Sequence, residues 1–224
     1  MSELAVDDSA TRWSVPAADV DAAIAARPLV VLLHGLGADE HDLAGLVPAL
    51  PPAFLYASVR APLPIRSPGR GFAWFPPLLQ QGISADPEIV NAAARGLLTW
   101  LDRTQARARS HGPVALLGFS QGAAMSVQLL RHAPELFAGA VALSGFVAPG
   151  LVGGDEALSQ IRPPVLWGYD PADPVVTTPA TDRLRTFLAG HTRVDERRYP
   201  GAGHGITADE AADVAGFLSD LLGP

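Results

Sequence analysis

The sequence predicts an α/β fold built on a mostly parallel sheet, and three features of its 224 residues carry that expectation. Short, nearly continuous apolar runs recur along the chain. Helical periodicity fills the intervals between them, and Gly and Pro mark the boundaries. A strand that is apolar at every position must be covered on both faces, which is the setting of a parallel sheet with helices on both sides.

Residues 1–28 show little periodicity and are expected to form an irregular or antiparallel start. The first strong strand is LVVLLH at 29–34, followed by FLYASV at 54–59. The segment 61–85, APLPIRSPGRGFAWFPPLLQQGISA, has no regular period. Loops beyond about 12–15 residues in compact domains are often functional. This one carries Phe72, Trp74, Phe75, Leu78 and Leu79 beside five prolines and is expected to lay an apolar wall over a binding site. Asp86-Pro87 then signals a helix, with a cap residue before a proline at the first helical position. Val90, Ala94, Leu97 and Leu101 make its apolar stripe. A strand at 114–119 and a helical pattern from Gln121 through Leu130 follow, then strands at 140–144 and 165–169. Thr178-Pro179 opens a helix bearing Leu184, Phe187 and Leu188, and Gly190 is expected to end it. VDERRY at 194–199 alternates, as an edge strand does. Thr207 with Glu210 forms a capping box before Val214, Phe217, Leu218 and Leu221.

Composition bounds the function. Hydrophobic residues make up 48% and charged residues 17%, enough apolar material to bury a core in one domain spanning 1–224. The net charge is −7 and every basic residue is Arg, so nucleic acid is not an expected partner. With no cysteine, disulfides, Cys-ligated zinc and a thiol nucleophile are excluded. The acidic N-terminal stretch is not expected to act as a secretory signal, and no apolar run reaches the ~20 residues of a membrane span. No stable membrane insertion is expected, and the cytoplasm is the expected location.

Gly118-Phe119-Ser120-Gln121-Gly122 matches G-x-S-x-G. Alone the pattern is weak, and Ser120 could simply cap a helix. Its context, a buried-strand pattern before and a helical pattern after, is what a nucleophile elbow requires. Gly at both flanks relieves the crowding of so sharp a turn, and the hydroxyl then stands at a helix N-terminus that favours negative charge.

A serine hydroxyl needs a base and oxyanion donors. Of six histidines, His204 is the candidate base, because PGAGHG at 200–205 sets it in a flexible loop after the last strand pattern. The acid should follow a late strand, where DPADPVV at 170–176 offers both Asp170 and Asp173; spacing does not choose between them. The acid would accept the imidazole N–H and stabilise the imidazolium. The oxyanion donors fall on the backbone N–H groups of Gln121, the residue after the serine, and Leu36, in the HGLG turn at 34–37.

In sequence order, LLHGLGADEHDL, RAPLP, FAWF, GFSQGAAMS, DPVV and GAGHGI resemble the phospholipase/carboxylesterase family of α/β-hydrolases over roughly residues 29–222. The resemblance implies that fold, with Ser120, Asp173 and His204 as catalytic residues and Leu36 and Gln121 as oxyanion donors. It thereby favours Asp173 over Asp170. It implies ester hydrolysis through an acyl-serine, while the apolar loop bearing Phe72, Trp74 and Phe75, expected to line the substrate, suggests a carboxylic ester with a short- to medium-chain acyl group. Thioesterase or lysophospholipase activity is the alternative within the family, and a non-catalytic binding protein the alternative outside it. No metal or organic cofactor is implied. The partners implied are a small-molecule ester and, at most, a second copy of the chain, as monomer or homodimer. Two departures stand out: Trp167 occupies the position of a usual His before the acid loop, and Pro76 follows Phe75 where Asp is usual.

Overall fold

The computed structural model describes residues 3–65, 71–76 and 85–223. In chain order these form β1 Arg12–Trp13, α1 Val20–Ala26, β2 Leu29–Leu33, a 3-10 helix Leu43–Ala49, β3 Leu55–Val59, and a short antiparallel pair, β4 Leu63–Pro64 and β5 Phe72–Ala73. They continue with α2 Pro87–Ala108, β6 Val114–Phe119, α3 Gln121–His132, β7 Gly139–Leu143, α4 Asp155–Ile161, β8 Pro164–Tyr169, α5 Thr178–His191, β9 Arg193–Arg198 and α6 Ala208–Leu222. Leu78 and Leu79, expected in the apolar wall, lie outside the described residues.

One sheet runs in the order β1-β3-β2-β6-β7-β8-β9. All neighbours are parallel except β1, which pairs antiparallel with β3. The apolar runs are thus the buried strands of a mostly parallel sheet. Along β2, Val30 and Leu32 pack with Leu117, Val141, Val214 and Leu218 on one face, while Val31 and Leu33 pack with Trp74, Trp100, Met125 and Leu184 on the other. β9 lies at the edge, as its alternation implies.

The helix signals work with local adjustments. Asp86 Oδ1 accepts from Glu88 N–H at 2.9 Å and opens α2. α5 passes Gly190 and ends at His191, because side chains close its last turn: His191 Nδ1 binds the Phe187 carbonyl and Thr192 Oγ1 donates to that of Leu188, each at 2.8 Å. The capping box of α6 is one-sided. Thr207 Oγ1 accepts from Glu210 N–H at 3.1 Å, but the Glu210 carboxyl turns into the core.

Chain order places the site. From β2 the chain moves to β3 on one side, then crosses to β6 on the other. The carboxyl ends of β2 and β6 flank this topological switch point, where open parallel sheets form their ligand crevice. Leu33 and Gly118 are register partners, so the HGLG turn and the Ser120 elbow leave the sheet side by side.

Candidate active site

Ser120 stands at the N-cap of α3, yet its side chain makes no cap hydrogen bond. Its backbone has φ +54° and ψ −115°, a conformation that costs a non-glycine residue on the order of 1–3 kcal/mol and persists only where its surroundings enforce it. The flanking glycines show the enforcement. A Cβ on Gly118 would lie 2.2 Å from the Gly122 carbonyl oxygen, and one on Gly122 would lie 1.8 Å from that of Leu33. The amide of Ser120 is anchored to the Leu143 carbonyl at 2.9 Å.

The freed hydroxyl meets the candidate base. His204 Nε2 is 3.0 Å from Ser120 Oγ, and His204 Nδ1 is 2.7 Å from Asp173 Oδ2. Carboxylate acceptance at Nδ1 places the ring proton there and leaves the Nε2 lone pair for the serine O–H. The other oxygen of Asp173 accepts from Val175 N–H at 2.7 Å and Val176 N–H at 3.0 Å, so the carboxylate is held from both ends. Phe119 packs against the imidazole with ring centroids 5.0 Å apart.

Asp170 sits elsewhere in the same network. Its Oδ2 accepts from Gly201 N–H at 2.9 Å and Gly203 N–H at 2.7 Å, and its Oδ1 from Ala172 N–H at 2.8 Å. These amides, led by that of Ala172, hold its carboxyl below the usual carboxylate range. Asp170 therefore ties the acid loop to the histidine loop without touching the imidazole. Sequence reasoning left this residue without a role; its signal was the spacing of two aspartates opposite a loop of glycines with free amides.

On the oxyanion side, the HGLG turn lies against the elbow: a Cβ on Gly35 would be 3.4 Å from Ser120 Cβ. Among the described residues, no backbone carbonyl takes the amide of Leu36 or of Gln121. The turn is held from behind. His34 Nδ1 binds the Gly35 carbonyl at 2.8 Å while its Nε2 accepts from Ala61 N–H at 3.0 Å, and burial holds the imidazole below its ordinary value. His34 is thus a neutral strut.

The predicted substrate aromatics take different places. Trp74 and Phe75 are buried in the core. Trp74 Nε1 donates to the His34 carbonyl at 2.9 Å, and Phe75 meets Phe146 edge-on. Phe72 is half-buried, with the Arg60 guanidinium 4.7 Å above its ring. The side chain of Gln121, which sequence reasoning considered only for its amide, binds this segment: Oε1 accepts from Trp74 N–H at 2.8 Å and Nε2 donates to the Phe75 carbonyl at 2.6 Å. Leu36 in the HGLG turn and Val175 in the acid loop leave large apolar side chains exposed.

Asp39, Glu40 and His41 could offer ligand atoms within 4.8 Å of one another, but Arg60 already engages Glu40. Among the described residues, no helix is long and apolar enough to cross a membrane.

A family model described as phospholipase/carboxylesterase matches residues 18–222. The chain is 26% identical over 218 residues to acyl-protein thioesterase 1 of Saccharomyces cerevisiae, covering 88% of this chain and 94% of the yeast protein. The crystal structure of esterase PE8 superposes with a TM-score of 0.75 at 29% identity, covering 88% of this chain and 94% of that one. A carboxylesterase from Mesorhizobium loti shares the fold with a TM-score of 0.76 at 24% identity, covering 96% and 94%.

Proposed function

Because the chain belongs to the phospholipase/carboxylesterase family, a family of serine hydrolases, we propose that it hydrolyses short- to medium-chain carboxylic esters through an acyl-serine. The observation that carries this is the continuous relay from Ser120 through His204 to Asp173. His204 Nε2 takes the hydroxyl proton as Ser120 Oγ bonds to the ester carbonyl carbon. The Leu36 and Gln121 amides receive the oxyanion, and Asp173 stabilises the imidazolium. The carbon–oxygen bond to the leaving group breaks, and the imidazolium proton passes to the departing alkoxide. Water, deprotonated by the same His204, then attacks the acyl-serine. The acid leaves, and Ser120 recovers its proton.

Leu36 in the HGLG turn and Val175 in the acid loop, both exposed and apolar, support an apolar acyl group. The yeast relative's name favours a second reading, an acyl thioester substrate. The leaving group differs, but the acyl transfer to Ser120 is the same.

A fluorophosphonate probe should label Ser120, and Ser120→Ala should lose both labelling and turnover of p-nitrophenyl butyrate, on the order of 10³-fold or more. Near-wild-type turnover by Ser120→Ala would sink the assignment. Rates on a short oxygen ester, an acyl-CoA and a lysophospholipid then separate ester, thioester and lipid substrates.

A further inference from the structure

A cavity lies away from Ser120, on the edge of the sheet formed by β1 and β3. Its volume is about 250 Å³. That is room for a compact ligand, just below the ~300–1,000 Å³ of sites that hold drug-sized molecules.

The strand register builds its floor. Arg12 of β1 and Leu32 of β2 are both partners of Ser58 on β3, so the three side chains form one row on one face of the sheet. Ser14 and Tyr56 form the next row on that face; the Tyr56 amide donates to Ser14 Oγ at 3.0 Å. The 3-10 helix supplies the roof through Ala44, Val47 and Pro48.

One buried polar group in this cavity is unanswered, and an exposed guanidinium stands beside it. Ser58 is 1% exposed, lines the cavity, and its hydroxyl has no partner among the described residues. A buried hydroxyl without a partner costs on the order of 1–3 kcal/mol. Arg12 takes no ion pair among the described residues, although acids stand nearby. Across the adjoining cleft, Glu40 is engaged by Arg60 and Asp7 by Ser9. A guanidinium beside two hydroxyls able to donate, set against the apolar surfaces of Leu32, Val47 and Pro48, has the chemistry of a site for an anion with a compact apolar body.

We propose that this cavity binds a small monocarboxylate, with Arg12 and Ser58 on the carboxylate and its apolar body under the 3-10 helix. The inference does not depend on the ester-hydrolysing role of Ser120.

Ligand-observed saturation-transfer NMR with benzoate tests it, with neutral benzamide as the control. Benzoate should bind saturably to the wild-type protein, with Kd on the order of 1 mM. Arg12→Gln, a surface substitution that leaves the core intact, should weaken binding at least about tenfold, the loss of one charge-assisted contact. Ala44→Leu, which fills the cavity and keeps Arg12, should abolish it, and benzamide should bind at least about tenfold more weakly. No saturable binding of benzoate overturns the proposal. So does equal binding by Arg12→Gln, which would place benzoate elsewhere, or equal binding of benzamide, which would remove the anion from the assignment.

Discussion

Ser120 illustrates how much a single side chain depends on what holds it. Its strained backbone aims the hydroxyl at His204 rather than at the amides of α3. The two aspartates of the acid loop divide the remaining work. Asp173 touches the imidazole, whereas Asp170 touches only backbone amides at 172, 201 and 203. Their substitutions should therefore differ in kind. Asp173→Asn keeps the shape but presents an amide to Nδ1, which can stabilise the wrong tautomer; the expected loss in kcat is on the order of 10⁴-fold. Asp170→Asn keeps an acceptor oxygen for the Gly201 and Gly203 amides, and kcat should fall about tenfold or less. Steady-state kinetics on both variants checks this, and a larger loss for Asp170→Asn would move the acid to that residue.

Among the elements, the coupling that matters joins α3 to the segment carrying Trp74 and Phe75. Gln121 uses both ends of its side-chain amide on buried backbone there, and its own N–H is the proposed oxyanion donor. Gln121→Ala leaves an N–H and a carbonyl buried without partners, at about 1–3 kcal/mol each. Its melting temperature should fall by on the order of 5 °C or more, and kcat should fall with it because the oxyanion turn loses its backing. A stable, fully active Gln121→Ala would mean that the clamp does not hold the turn. This coupling was invisible in the sequence, since a glutamine side chain reaching 46 residues back along the chain leaves no periodic trace. The strands were legible because burial on both faces made them apolar throughout, as in Val114–Phe119. The elbow was legible because its glycines answer a local clash. Trp74 and Phe75 show the limit of the same logic. Aromatic residues in a long loop signal burial, but only the fold says whether they bury against substrate or core, and here the core takes them.

For the molecule as a whole, Glu210, in the first turn of α6, is a pH lever. Its side chain is buried against β8, one carboxyl oxygen has no partner among the described residues, and burial pushes its pKa up from 4.5 to about 7. The folded state therefore holds a proton that the unfolded chain releases near pH 4.5. Between that value and about 7 the native protein binds more protons than the unfolded one, so stability declines as pH rises through this window, and the full penalty applies above it. Asp213 nearby adds to the penalty by repulsion. Glu210→Gln keeps the volume and the Thr207 cap, which uses the backbone amide, and removes the charge. The variant should match the wild type near pH 5 and exceed it at pH 8 by up to about 3 kcal/mol, a rise in melting temperature on the order of 5 °C. Thermal melts of both proteins across this range provide the measurement. A difference that stays constant from pH 5 to pH 8 would show that Glu210 is ionised and satisfied in the folded state, and that the orientation of α6 against β8 does not depend on its protonation.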